Sequence, residues 1–383
     1  MKFFLIGIIF CILLKVSAQS DTQIFDFASK NNREKVKQEL IQKINTAIEL
    51  PFVEKNYIQY KGAFWAMELM LCQNNNIENK IPNWIAQLQF VTASMQWILL
   101  EYLYTIDPGR YSDLIKKNWS FLKTNKIKAL ALEYISAKKL DTLFLLNDSF
   151  KSSSYYRLFR ILHQQNKATN LVTSNYFLQY SFLPNQTVLV SFQYTDRNTP
   201  GYLMIRLSNG TWFSDASNKP YQFQQLARSI TNMPYYLTNG NTPQGLYKLT
   251  GFDSSTNNWI GPTTNLQMLM PFEKDGKINF FETQNVEQEY RELLGSLAEN
   301  IKLWQSFEAG RIGRTEIIAH GTTIPTDFYK STTYFPCTPS LGCLCSPEIW
   351  DDNGKREWSI QNEWISLLKQ HQLKPNYLLV IEH

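Results

Sequence analysis

A chain of 383 residues, 44% hydrophobic and 14% aromatic, carries enough apolar material for a large core divided over roughly two domains. Its 38 lysines and arginines against 33 aspartates and glutamates leave a formal charge of +5; without Lys2 and Lys15 of the leader the count is 36 against 33, or +3. That balance excludes a nucleic-acid binder of the basic-patch kind and is compatible with work near an anionic surface.

Residues 1–18 are predicted to be a secretory signal peptide. Lys2 gives a positive start, Phe3 to Leu14 is almost wholly apolar, and Val16-Ser17-Ala18 offers small residues for cleavage. The run is short for a bilayer span and Lys15 interrupts it. Cys11 lies inside the run, so lipoprotein attachment is not expected. No later stretch is long and apolar enough to cross a membrane. The expected product is exported, with no membrane span after cleavage, and resides in the periplasm or at the cell wall.

Residues 19–175 read as an all-α domain. Val36, Leu40, Ile41, Ile44 and Ile48 fall on one helical face, and Trp84, Ile85, Leu88, Val91, Met95, Ile98 and Leu99 form a stronger one. Further helices are predicted near 112–123, 127–146 and 154–165. Breaks fall at Leu50-Pro51, Gln73 to Lys80, Ile81-Pro82 and Asp107-Pro108-Gly109. No repeat of fixed period is visible, so five to seven helices are expected in an irregular array.

Residues 176–383 change to a period of two. Val188, Val190, Phe192 and Tyr194 alternate, Tyr202 to Leu207 follows, and Ser208-Asn209-Gly210-Thr211 is a hairpin turn. Other predicted strands are Gly245 to Thr250, Leu266 to Met270, Ile278 to Glu282, Thr315 to Ala319 and Tyr377 to Ile381. Two helices interrupt them: one with a face running from Val286 through Tyr290, Leu294 and Ile301 to Trp304, and Ile360 to Gln370. The fold class expected is therefore multi-domain α and β: a helical N-terminal domain followed by a β-rich sandwich domain with added helices.

Chemistry concentrates in two short frames, Ile318-Ala319-His320-Gly321-Thr322 and Ser340-Leu341-Gly342-Cys343-Leu344-Cys345. A thiol attacks carbonyls as thiolate, and a nearby imidazole is the usual way to make one. A glycine before the cysteine lets the backbone approach a reacting group and leaves amides for an oxyanion. Such an imidazole-paired thiol is expected to label readily in mild acid. The other cysteines left after leader removal are Cys72, read as a buried small hydrophobe, and Cys337. A Cys337–Cys345 bridge and a zinc set of Cys337, Cys343, Cys345 and His320 stand as alternatives. His163 reads as a rim residue, and His371 and His383 as solvated. Arg311 and Arg314 read as exposed arginines able to pair a carboxylate.

Residues 180–383 resemble the L,D-transpeptidase catalytic domain family (YkuD-like). His320-Gly321-Thr322 at a strand end, Ser340-Leu341-Gly342-Cys343, the terminal strand Tyr377 to Ile381 and the upstream Thr242-Pro243-Gln244-Gly245-Leu246-Tyr247 carry the resemblance. It implies an exported enzyme of cell-wall biogenesis acting on peptidoglycan stem peptides, with no cofactor and no metal. Cys343 would be the nucleophile and His320 the general base and acid, its ring held by the carbonyl of Gly321. The amides of Gly342 and Cys343 would face the oxyanion, and Ser340 would shape the loop. Leu341 stands where the family commonly has histidine, and Cys345 where it has arginine or asparagine. His320 and Cys343 are 23 residues apart, more than usual, with Asp327 to Cys337 looping out. An L,D-carboxypeptidase on the same stems and an inactive wall-binding scaffold are the rival readings. The helical domain could dock to a wall component, a partner protein or the catalytic domain.

Overall fold

The computed structural model describes residues 23–72, 75–139, 142–145, 148–164, 177, 182–275 and 278–383. The expected leader over 1–18 and the expected boundary between 175 and 176 lie outside the described residues. Among the described residues no helix is long and apolar enough to cross a membrane.

The first half is helical, as its periodicity predicts. Its helices are α1 (Lys30–Ile48), α2 (Tyr57–Leu69), α3 (Asn75–Glu78), α4 (Ile81–Ala86), α5 (Ala93–Ile106), α6 (Ser112–Lys117), α7 (Asn125–Ser136) and α8 (Ser154–Gln164). The predicted apolar face from Trp84 to Leu99 is split between α4 and α5. Thr92 is the reason: its backbone is extended and its Oγ1 accepts from the Met95 amide at 3.4 Å, an N-cap that starts a new helix. Thr124 caps α7 in the same way, accepting from Ile127 at 3.2 Å. The α2 and α5 helices meet through fully buried rings, with Phe64 stacked on Tyr102 at 5.1 Å and edge-on to Trp84 at 5.5 Å. Each such ring contributes roughly 1.5–3 kcal/mol by leaving water.

The second half contains a mixed sheet of eight strands in the order β3-β2-β1-β12-β4-β5-β8-β9. These are β1 (Val188–Gln193), β2 (Gly201–Arg206), β3 (Phe223–Gln225), β4 (Gly245–Asp253), β5 (Asn265–Leu269), β8 (Ala319–His320), β9 (Leu344–Cys345) and β12 (Tyr377–Glu382). Two small hairpins stand outside it, β6 (Lys274–Asp275) with β7 (Ile278–Asn279) and β10 (Glu348–Trp350) with β11 (Arg356–Ser359). The helices α9 (Val286–Leu294), α10 (Gln305–Arg311) and α11 (Ile360–Gln370) complete the chain. The single helix expected from Val286 to Trp304 breaks at Gly295, whose φ of +56° leaves the helical region, and two 3₁₀ segments follow.

The strands curl into one nearly closed mixed sheet, where the alternation predicted a β-rich sandwich or barrel. Past β3, Leu226 exchanges backbone hydrogen bonds with Cys345 at 2.8 and 2.9 Å, and Ile230 donates to the Ser340 carbonyl at 2.7 Å. These bonds bring the first edge round to the last. Both faces are apolar because β12 runs parallel to β1 in the middle of the sheet and antiparallel to β4. Leu189, Leu378 and Val380 point to one core, whereas Val190, Leu379 and Ile381 point to the other with Tyr290 and Phe307.

The first of these cores does not stop at the sheet. It joins Phe64, Leu99, Leu130 and Phe159 of the helices to Leu189, Ile205 and Tyr247 of the strands. Polar ties cross the same seam: Tyr329 donates to the Leu69 carbonyl at 2.8 Å, and Arg157 pairs with Glu308. A shared core predicts one cooperative transition. Leu130→Ala, at a fully buried site, is expected to cost about 2–5 kcal/mol. Far-UV circular dichroism and near-UV signals from the sheet aromatics should shift together in denaturant; two separate transitions would contradict a common core.

Candidate active site

The two frames singled out in the sequence meet as neighbouring parallel strands. Ala319 is paired with Leu344 and His320 with Cys345. The register is held by Leu344 N–H on the Ile318 carbonyl at 3.0 Å and Ser346 N–H on the His320 carbonyl at 2.9 Å. Ala319 and Leu344 enter the shared core. Strand alternation then sends the paired His320 and Cys345 to the opposite face. Cys343 stands one residue before β9, and its thiol is met by the Glu316 carbonyl and the Ile318 amide.

His320 is 4% exposed. Its Nδ1–H donates to the Gly321 carbonyl, which leaves the Nε2 lone pair free to accept a proton. Burial holds its pKa below the ordinary histidine value, and the Gly321 bond offsets part of that shift. The ring is therefore neutral near pH 7. The Gly321 segment is itself clamped by the buried Glu348, whose carboxylate accepts the Thr322 amide at 2.8 Å and the Ser359 hydroxyl. Trp350 Nε1–H donates to the Thr322 carbonyl at 3.0 Å. A methyl at position 321 would overlap the Glu348 carboxylate.

The cysteine loop is held from three sides. Ser340 Oγ donates to the Cys343 carbonyl at 3.0 Å and accepts the Gly342 amide at 3.2 Å. Thr242 Oγ1, from the Thr-Pro frame upstream, donates to the Gly342 carbonyl at 2.9 Å. Gly342 has φ of +112°, and any side chain there would strike the Arg314 guanidinium and the Gly240 carbonyl. Arg314 is 7% exposed and donates to the carbonyls of Tyr235, Gly240 and Asn241. Among the described residues no carboxylate pairs with it. Burial lowers its pKa to about 10, and the groups that resist the fall are Tyr247 and Cys343.

The half-buried Cys343 thiol lies 3.6 Å from the Glu316 carbonyl. Burial raises its pKa, whereas the Ile318 amide, Arg314 and the Ser340 hydroxyl pull it down. No hydrogen bond joins this thiol to His320 among the described residues, so the resting pair is neutral thiol and neutral imidazole. The mild-acid labelling expected of a preformed ion pair does not follow from this geometry.

Two further expectations change. The Gly342 amide is engaged by Ser340 and is not free for an oxyanion, while the Cys343 amide makes no hydrogen bond to a described residue. Arg314, read from the sequence as exposed, is a buried part of the loop's support. Cys337 and Cys345 are free and buried, with burial pushing Cys337 up to about 12, and no bridge joins them. No group of three or more histidine, cysteine or acidic side chains able to hold a metal occurs among the described residues. His163 pairs with Glu133 at 2.8 Å, away from the loop, and His383 packs among Phe192, Tyr194 and Tyr202. Glu348 was missed, and nothing in the sequence around it marks it.

No family model matches the chain, and neither a curated protein nor a solved structure matches it.

Iodoacetamide labelling followed by peptide mass analysis should find Cys343 modified ahead of Cys337 and Cys345 in the folded protein. Because its thiol pKa is raised, the rate should climb only on the alkaline side of the ordinary thiol range. Arg314→Gln removes a cation that favours the thiolate and should slow labelling further at every pH below the plateau; an unchanged profile would remove Arg314 from the site.

Proposed function

We propose that the chain is a cysteine acyltransferase of the L,D-transpeptidase type, exported to act on peptidoglycan stem peptides. The observation that carries the reading is the parallel β8–β9 pairing, which brings the frame of the buried imidazole beside the frame that bears the thiol. Further support comes from the Thr242 hydroxyl, which ties the upstream frame named in the resemblance to the cysteine loop.

In this reading Cys343 Sγ attacks the carbonyl carbon of the stem's third residue. The thiol proton passes to His320 Nε2 as the two groups close on the substrate. The Cys343 amide and the Arg314 guanidinium behind Gly342 favour the negative charge that develops. The C–N bond to the terminal D-alanine breaks, and His320 returns its proton to the leaving amine. A thioester remains on Cys343. The amine of a second stem attacks it, loses a proton to His320, and releases the thiol. Arg314 supplies from strand-preceding chain the positive charge that Cys345 does not supply at the position where the family commonly carries arginine.

A lowered His320 pKa keeps the base form available as pH falls to the ordinary histidine value and below. Acylation should therefore not lose its base between neutral and mildly acidic pH.

The test is intact mass after exposure to a carbapenem, which mimics the stem terminus. One adduct per chain is expected, absent in Cys343→Ala and formed about 100-fold or more slowly in His320→Ala. No adduct on a folded sample sinks the enzyme reading and favours the scaffold. Incubation with tetrapeptide muropeptides then separates cross-linked dimers, expected here, from free tripeptide, the product of a carboxypeptidase.

A further inference from the structure

One cleft does not belong to the sheet alone. It holds 580 Å³ between α2, α5 and the start of α7 on one side and Thr238, Asn239 and Leu341 on the other. Leu341 is 46% exposed, stands two residues before Cys343, and forms part of the wall. A ligand seated here touches the cysteine loop.

Two carboxyl groups line this cleft. Glu101 receives Asn239 Nδ2–H and Trp97 Nε1–H, each at 2.7 Å. Glu68, one of the most deeply buried acids of the chain at 5% exposure, has no hydrogen bond or ion pair to any described residue. Its oxygens are not among the enclosed unpartnered atoms and open to the cleft, where a bound donor can reach them. Beside it Lys126 Nζ lies 4.8 Å from the centre of the Trp97 ring and donates to Thr238 Oγ1. Lys61 and Lys126 line the same cleft and suit the carboxylate of a ligand.

We propose that this cleft is a binding site for a peptide residue bearing a free side-chain ammonium and an adjoining carboxylate, the ammonium seated on Glu68 and Glu101. Taken with the transfer reading, it receives the diamino-acid part of a stem peptide next to the cysteine loop. Only the identity of that peptide rests on the reading; the binding itself needs no thiol chemistry. An ammonium offers three donors, which satisfy Glu68 and the remaining acceptor capacity of Glu101.

The two carboxyl groups act on one another electrostatically. Burial and mutual repulsion hold Glu68 well above the ordinary carboxyl range, and burial raises Glu101 to about 7. The other charged or titratable groups around the pair are Lys61 and Tyr57 on α2, Tyr102 on α5, Lys126 on α7 and Cys72 after α2, with Arg314 acting on Lys126. A bound ammonium favours the ionised pair, so binding releases a proton and tightens as pH rises through 7.

The experiment is a titration of Cys343→Ala protein, unable to acylate, with Nα-acetyl-lysine and with Nα-acetyl-norleucine, which lacks the amine. Chemical-shift changes of the tryptophan indole signals report occupancy. The lysine derivative should bind about tenfold or more tightly than the norleucine derivative. Glu68→Gln, which imitates the protonated acid and should fold, is expected to erase that difference; Glu101→Gln serves as a second variant. Equal binding of the two probes, no binding of either, or a Glu68→Gln variant that still prefers lysine overturns the proposal. So does preferential binding of a neutral chito-oligosaccharide. Carbapenem acylation of the Cys343 protein is scored separately, so loss of this site and loss of the transferase reading are distinguishable.

Discussion

Everything at the site depends on the parallel ladder between β8 and β9. Each contributes only two residues, yet the ladder decides which side chains share a face. A slip of one residue would set Leu344 or Ser346 opposite His320 in place of Cys345. The register is protected beyond its own two bonds. Leu226 grips Cys345 from the far edge, Gln361 Nε2–H donates to the Ala319 carbonyl at 2.9 Å, and Ser346 Oγ bonds Gln361. The near-closure of the sheet is thus what makes so short a ladder definite.

The second constraint is electrostatic. A guanidinium buried without a carboxylate is costly, and Arg314 offsets that cost with three backbone carbonyls. Carbonyls supply dipoles but no compensating charge. The arrangement therefore favours whatever negative charge arises at the adjoining loop, a thiolate or an oxyanion. Glu348 plays a complementary part on the other frame. It holds the Gly321–Thr322 turn through the Thr322 amide, so the carbonyl that orients the imidazole stays fixed. A buried guanidinium braces one half of the constellation and a buried carboxyl group the other.

Much of this was legible in the residues. Periodicities of 3.6 and 2 separated the helical and strand-bearing segments, and small-residue frames marked His320 and Cys343. What escaped has physical causes. Thr92 sits within a continuous apolar period, and only its extended backbone reveals a cap that divides the helix. Leu189 and Leu379 look like the off-beat residues of half-exposed strands, and only the central place of β12 shows that both faces are covered. Arg314 looks like any surface arginine, because burial of a charge is decided by chain segments some 70 residues away, at Tyr235 to Asn241. Glu68 and Glu101 lie at helical positions where acids are ordinarily solvated.

The place of β12 has a consequence for how the protein comes to exist. It is the last strand in sequence and sits between β1 and β4, at the middle of the sheet. Neither core is complete until β12 has paired, since Leu378 and Val380 belong to one and Leu379 and Ile381 to the other. Long-range closure of this kind is slow. Formation of both cores is thereby tied to one long-range event, the docking of β12 between β1 and β4.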